Sequence, residues 1–467
     1  MKTNKWNKLT ACVLTSLIFA SFSGSTALAA LPKGYTKGTD GSYIYTSNVT
    51  SDISGKPGNK IVLGGGTTAM KAPKNVTGGY SDTGDVTESS VTVNQNVLLY
   101  RNNLYGGKAE GNGEVKASQN AITITSSNKE ISTEEVIGGY AKLNKAADGK
   151  AAGEASNNTV TVRVNSASLM DNHTNLYGGR VDVDTDDSYK ASADSNIVEA
   201  EGVAIRSLIL GGAIYPSISS SGNRADISAS NNTVIIKNSV FSDGNGVYGG
   251  YVRRYKNSGV QHVTVSGNTL TFDNSEFRVP DKRKSEHNLH GDMAAGLFFG
   301  TEGTVSDNTL TVNKLSATII DSYVTFAGAE AIVDGSKADA SLKITGNTAR
   351  VTDTDVPSIT ARVTDTDVPS ITGAYVSVSS AGNTSMTVTG NAAEGTNLKA
   401  DLVAGAYVGH EEGVNTLKAA VDGNRVTLNQ VSPRSEKKRS YRGRRCPFRG
   451  FRLSFPKYGR CYGRHGH

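Results

Sequence analysis

Apolar and polar residues alternate in short runs along most of this chain. In Ser156-Asn157-Asn158-Thr159-Val160-Thr161-Val162 a turn feeds a strand. Val160, Val162 and Val164 alternate there with Thr159, Thr161 and Arg163. Apolar side chains then take one face and polar ones the other. Asn175-Leu176-Tyr177-Gly178-Gly179 follows. It reads as a short apolar strand that stops on a Gly pair, where no side chain obstructs a bend or a close backbone approach. Helical periodicity is nearly absent, which excludes an all-α solenoid.

This two-part unit recurs. The Asn of the Ser/Gly-x-Asn turn can be followed through Asn120, Asn158, Asn196, Asn232, Asn268, Asn308, Asn347, Asn383 and Asn424, at spacings of 38, 38, 36, 36, 40, 39, 36 and 41. Behind these turns stand Ile122-Thr123-Ile124, Leu270-Thr271-Phe272, Leu310-Thr311-Val312 and Val426-Thr427-Leu428. Between them lie Leu104-Tyr105-Gly106-Gly107, Ile137-Gly138-Gly139-Tyr140, Leu210-Gly211-Gly212 and Val247-Tyr248-Gly249-Gly250-Tyr251, which degenerate to Phe326-Ala327-Gly328 and Ala404-Gly405-Ala406-Tyr407. One repeat cannot bury its apolar face alone, so stacking on its neighbours is required. The expected fold is all-β, a parallel β-helix (β-solenoid) of about 38-residue repeats. Val, Ile and Leu should fill the interior and Thr should form ladders outside, with the Asn stacked as an amide ladder at the turn. Asn158 to Gly178 spans 20 residues, about half a repeat, which suggests two coils per repeat. Residues 349–360 and 361–372 are identical twelve-mers, Ala-Arg-Val-Thr-Asp-Thr-Asp-Val-Pro-Ser-Ile-Thr. Too short for a structural repeat, the copy is expected to form a protruding loop or an extra partial coil.

Charge divides the chain into three parts. Residues 1–29 read as a secretory signal peptide, with Lys2, Lys5 and Lys8, an apolar run from Leu9 to Phe22, and Ala27-Leu28-Ala29 before a cut ahead of Ala30. No later segment approaches the about 18 apolar residues of a membrane helix. The formal charge of +6 splits into +3 for the leader, +11 from Val431 onward and, by difference, −8 for residues 31 to 430. Cys12 lies in the leader, and Cys446 and Cys461 in the tail, so disulfides cannot hold the body together. The expected organisation is thus a leader at 1–29, a solenoid at 30–430 and a basic, disordered tail at 431–467.

With its Cys-free acidic body and repeated Ser-x-Asn-Thr-Val-Thr-Val and Leu-Tyr-Gly-Gly-Tyr elements, the chain resembles the passenger regions of bacterial autotransporters, adhesin- or haemagglutinin-like ones with Gly-Tyr repeats in particular. The resemblance covers about residues 31 to 430. It implies an exported β-helix displayed on the bacterial cell surface or outer membrane, often for adhesion to a host or bacterial protein or glycan, and it carries over no catalytic residues. An autotransporter ends in an outer-membrane barrel of alternating strands, which this sequence lacks after Asn429. Instead Arg442-Gly443-Arg444-Arg445-Cys446-Pro447-Phe448-Arg449 departs from all earlier residue usage. The abrupt change reads as a frameshifted continuation that gives a truncated product. The competing readings of the tail are a nucleic-acid or membrane-surface patch, with Arg interleaved with Phe448, Phe451 and Phe455, and a metal site from Cys446, Cys461 and His465.

Other constellations read more simply. Ser285-Glu286-His287-Asn288-Leu289-His290-Gly291-Asp292 could ligate a metal but reads as a polar insertion. Asp82-Thr83-Gly84 spells an aspartic-protease triplet in a turn without a partner. Asp182, Asp184, Asp186 and Asp187 lack the Gly and closing Glu of a calcium loop and read as a solvated acidic loop. Asn48-Val49-Thr50 and Asn172-His173-Thr174 fit glycosylation sequons through Asn/Thr-rich composition. No catalytic, cofactor-binding or metal residues are assigned, and no cofactor. The expected function is non-enzymatic surface binding by a secreted solenoid. The rivals are a polysaccharide-degrading β-helix, which needs clustered carboxylates on one sheet face where the strands offer mainly Thr, and a truncated product without activity.

Overall fold

A computed structural model describes residues 31–432, apart from 127–129, 171–174, 206–207, 217–223, 242–245, 254–259, 278–289, 318–322, 335–338, 355–360, 364–365, 369, 380–382, 400–401 and 411–415. The basic tail and the leader lie outside the described residues. Among those described, no helix is long and apolar enough to cross a membrane.

Three long sheets of almost wholly parallel strands, of 15, 11 and 10 strands, wind into a β-solenoid. One turn of the chain visits each sheet once. Thr159–Met170 lies in the first sheet, Asn175–Val183 in the second and Tyr189–Ser192 in the third. The chain then turns and re-enters the first sheet as Ile197–Ile205. Val160 pairs in register with Ile122 on one side and Val198 on the other. Ladder partners are therefore a whole repeat apart, so each repeat makes one coil and the expectation of two fails. The Gly-pair strand at the half-repeat builds a second sheet instead of a second rung of the first.

The alternation of residues sets the faces as the pattern implies. Val160 and Val162 are fully buried while Thr161 is half-buried on the outer face. The interior is divided. Leu176, Val160 and Val198 belong to one apolar core, and Val181, Ala191 and Ile227 to a second. The Gly pair makes this division. Asn175–Val183 does not stop at Gly178-Gly179 but runs through it, with both glycines facing inward. A Cβ on Gly178 would stand 2.8 Å from Asn196 Cβ, and one on Gly179 would stand 2.6 Å from Asn196 Cγ. Two successive inward positions turn a corner, so that Leu176 feeds the first core and Val181 the second.

Between the cores runs the Asn ladder. Asn158, Asn196, Asn232, Asn268, Asn308, Asn347 and Asn391 are completely buried. Asn158 Nδ2 donates to Asn196 Oδ1 at 3.0 Å, and the Asn158 backbone N–H donates to that same oxygen at 3.0 Å. The other Nδ2 hydrogen goes back to the Ala117 carbonyl at 2.9 Å. The pattern repeats down to Asn391, whose Nδ2 donates to Asn424 Oδ1 at 2.8 Å. The residue just before each ladder Asn takes a left-handed backbone, as at Asn157 (φ 59°), Asn231 (φ 58°) and Gly267 (φ 65°). This requirement explains why Asn, Asp and Gly predominate at the middle position of the turn.

One ladder assignment is corrected. The eighth Asn is Asn391, not Asn383, which is exposed at the start of the third-sheet strand Asn383–Thr389. Two Gly-Asn pairs stand close together here, and the even spacing favoured the wrong one. The coil from Asn347 to Asn391 is long because part of the twelve-mer duplication stays outside the long sheets, although its last residues, Ser370, Ile371 and Thr372, open the second-sheet strand Ser370–Ser379. Within it Ala361–Val363 pairs antiparallel with Thr366–Val368, outside the three long sheets.

Two substitutions test this architecture. Val160→Asp buries an unpaired charge and is expected to cost more than about 3 kcal/mol, whereas Thr161→Asp, facing outward opposite Glu199, should cost about 1 kcal/mol. Equal shifts in thermal melts would contradict the assigned faces. Asn196→Ala removes the acceptor of two buried donors on Asn158 and should cost at least about 2 kcal/mol by denaturant titration.

Candidate binding face

The outer face of the second sheet carries the densest chemistry among the described residues. In-register pairing sets Tyr105, Ile137, Tyr177, Leu210 and Tyr248 in one column. A second column, just past the Gly corner, reads Tyr80, Lys108, Tyr140, Arg180, Ala213 and Tyr251. Rings and cations alternate along its first four members. Lys108 Nζ lies 5.8 Å from the Tyr80 ring centre and 5.7 Å from that of Tyr140, and the Arg180 guanidinium lies 5.5 Å from Tyr140. Successive strands hold cation and ring in face contact, the geometry of cation–π attraction.

Arg180 is the centre of the face. Its Nη1 meets Glu135 Oε1 at 2.7 Å, while Nε and Nη2 bind both Asp182 oxygens at 2.8 Å. The Tyr215 ring centre stands 4.7 Å from the guanidinium and that of Tyr177 5.3 Å. The same carboxylates serve the phenols. Tyr105 Oη donates to Glu135 at 3.2 Å and Tyr140 Oη to Asp182 at 2.9 Å. Tyr80 Oη donates likewise to Glu110, at 3.3 Å. Tyr177 and Tyr215 share a hydrogen bond of 3.4 Å. Burial works against the charge of Arg180, but Asp182 and Glu135 outweigh it and hold the guanidinium more basic than usual. Burial pushes the Tyr177 phenol up to about 12, and pushes Tyr105 and Tyr140 well above the ordinary range with help from Glu135 and Asp182.

The sequence assigned no site here. Asp182, read as part of a solvated acidic loop, instead lies on the strand Asn175–Val183 and clamps Arg180. A usable signal existed: Tyr140 and Arg180 occupy the same position after the Gly pair in successive repeats, and Asp182 follows two residues on. Reading the strand as ending at the glycines hid it. Of the other groupings, Asp82-Thr83-Gly84 follows the strand Asn75–Ser81. Residues 285–289 of the His-containing segment lie outside the described residues, as do Asn172-His173-Thr174, Cys446, Cys461 and His465. Among the described residues, no group of three or more His, Cys, Asp or Glu could hold a metal ion.

The chain matches no family model, no curated protein and no solved structure. The described residues form a β-solenoid of stacked parallel coils, compatible with the passenger of an autotransporter.

Arg180→Ala strips the partner from two largely buried carboxylates and should cost about 3 kcal/mol in a chemical denaturation experiment. The phenols give a pH signature. Their protons are held more tightly folded than unfolded, so stability is full below the ordinary Tyr range near about 10 and falls as pH rises past it. Stability curves that stay flat between pH 9 and about 12 would contradict the burial of Tyr177 and Tyr80.

Proposed function

We propose that this protein is a secreted, non-enzymatic passenger displayed at a bacterial surface, where it binds a repetitive protein or glycan ligand along the length of the solenoid. The observation supporting this reading is the recurrence of outward side chains once per coil. Thr271 and Thr311, for example, are direct neighbours on the first sheet, with Ile235 and Arg350 continuing the column. Adjacent strands stand about 4.8 Å apart, so Thr271 and Thr311 offer the same contact twice at that interval. Weak contacts to a polymer then add through effective concentration without a deep pocket. The leader-like residues 1–29 and the resemblance of the repeats to autotransporter passengers supply the route to the surface.

The mature chain is expected to begin at Ala30 when N-terminal sequencing follows expression with its leader in a Gram-negative host. Immobilised on a sensor, it should bind a polymeric glycan or glycoprotein at least about a hundredfold more tightly than the single repeating unit. Thr271→Lys with Thr311→Lys should weaken that binding and leave the melting curve in place. Equal affinity for polymer and unit would reject multivalent binding, and a product retained with Met1 would reject export.

A further inference from the structure

Three tyrosines of the aromatic face share an arrangement that cation–π packing alone does not require. Tyr80, Tyr105 and Tyr140 stand on successive strands of the second sheet, Asn75–Ser81, Asn102–Asn112 and Thr133–Lys145. Their ring centres lie 5.8, 5.4 and 5.7 Å from one ammonium, that of Lys108. Tyr105 and Tyr140 also meet each other, with ring centres 5.9 Å apart. Each phenol donates to a carboxylate of its own: Tyr80 to Glu110, Tyr105 to Glu135 and Tyr140 to Asp182. The next rings along the face differ. Tyr177 and Tyr215 bond to each other and, among the described residues, to no carboxylate. Exposure divides the trio as well. Tyr80 and Tyr140 are half-buried, while Tyr105 is buried on the strand between them. Residues 30–445 hold neither Trp nor Cys, so tyrosine is the side chain here that most readily gives up a single electron.

We propose that this trio is a one-electron relay, in which an oxidising equivalent enters at Tyr80 and is stored as a neutral tyrosyl radical on Tyr105. The oxidant is an outer-sphere one-electron acceptor, such as a metal complex in its higher oxidation state. In the first step the acceptor gains one electron and Tyr80 loses one. The phenol O–H bond breaks, and its proton passes to Glu110 along the existing hydrogen bond. A reduced acceptor, a neutral Tyr80 radical and a protonated Glu110 result. In the second step Tyr105 gives one electron to the Tyr80 radical and its own proton to Glu135, and Tyr80 takes its proton back from Glu110. The carboxylates make both steps feasible. Burial pushes the Tyr80 phenol up to about 12 and Tyr105 higher still, so both start protonated at neutral pH. Losing the electron alone would leave a positive ring against Lys108, where poor hydration strengthens the repulsion. Losing the proton with it leaves a neutral ring. Tyr177 and Tyr215 have no such carboxylate, so the relay stops before them. On Tyr105 the radical lies out of reach of small reductants in solution.

The test is flash photolysis of the full mature chain with a ruthenium polypyridyl complex attached through Asp82→Cys, two residues past Tyr80, in a background of Cys446→Ser and Cys461→Ser. A flash in the presence of a sacrificial acceptor leaves the ruthenium oxidised. As it regains its electron, the absorbance and paramagnetic resonance of a tyrosyl radical should rise, and the radical should persist in ascorbate. Tyr80→Phe should slow the ruthenium's recovery by an order of magnitude. Glu110→Gln, which still accepts the hydrogen bond but is no base, should do the same. Tyr105→Phe should leave the recovery unchanged and shorten the radical's life in ascorbate by an order of magnitude. Tyr375→Phe, outside the trio, should alter neither. Each Phe variant keeps its ring, and circular dichroism should report the same β fold. A recovery indifferent to Tyr80→Phe and Glu110→Gln would overturn the coupled first step. A radical whose life is indifferent to Tyr105→Phe would overturn storage on that residue. None of these readouts depends on export or on a polymeric ligand.

Discussion

The buried amide ladder is the constraint on which this fold depends. A column of Asn side chains through the middle of an apolar interior is tolerated only if every donor and acceptor is used. Here each Oδ1 from Asn158 to Asn424 takes two bonds from the preceding coil, and each Nδ2 from Asn120 to Asn391 gives one bond forward, with a second bond back to a carbonyl as at Asn158. That bookkeeping fixes the stacking register, because a coil shifted by one residue would leave the amides on both sides unpaired. It fixes the corner as well. The amide needs room, and the facing strand provides it with small residues, a Gly pair in the earlier coils and one Gly with one Ala in the later ones such as Gly328-Ala329, so the Asn turn and this small pair are two halves of one contact.

Much of this was legible in the sequence, for physical reasons. Alternation of Val with Thr in Thr159–Met170 has only one arrangement that hides the Val, so the inner and outer faces could be read directly. The spacing of the Asn residues gave the repeat. What could not be read was closure. Nothing in Leu176-Tyr177-Gly178-Gly179 states that a strand passes through its glycines, because glycine both breaks strands and permits close approach. Asn391 was lost to Asn383 for a related reason. The chain has two similar Gly-Asn turns there, and only the burial of one decides between them.

The aromatic face was hidden more deeply. Its members come from different coils, Glu135 from one and Arg180 from the next, and they meet only because pairing advances by a whole repeat. Residues that look like scattered charges along the chain become a tightly bonded cluster once wound. Its Arg is held between carboxylates and rings, and it braces several successive coils from outside while the Asn ladder holds them from within.

The ladder also gives the rod an electrical direction. Every side-chain amide is oriented alike, with its oxygen toward the N-terminal end and one hydrogen toward the C-terminal end. Small dipoles in line polarise one another, so each bond is stronger for having neighbours on both sides. An amide in the middle of the column therefore draws on more of the chain than one near an end. Cutting the line at Asn232 would leave two short polar columns in place of one long one, and the penalty for losing a rung should grow toward the centre of the molecule even though every rung makes the same contacts.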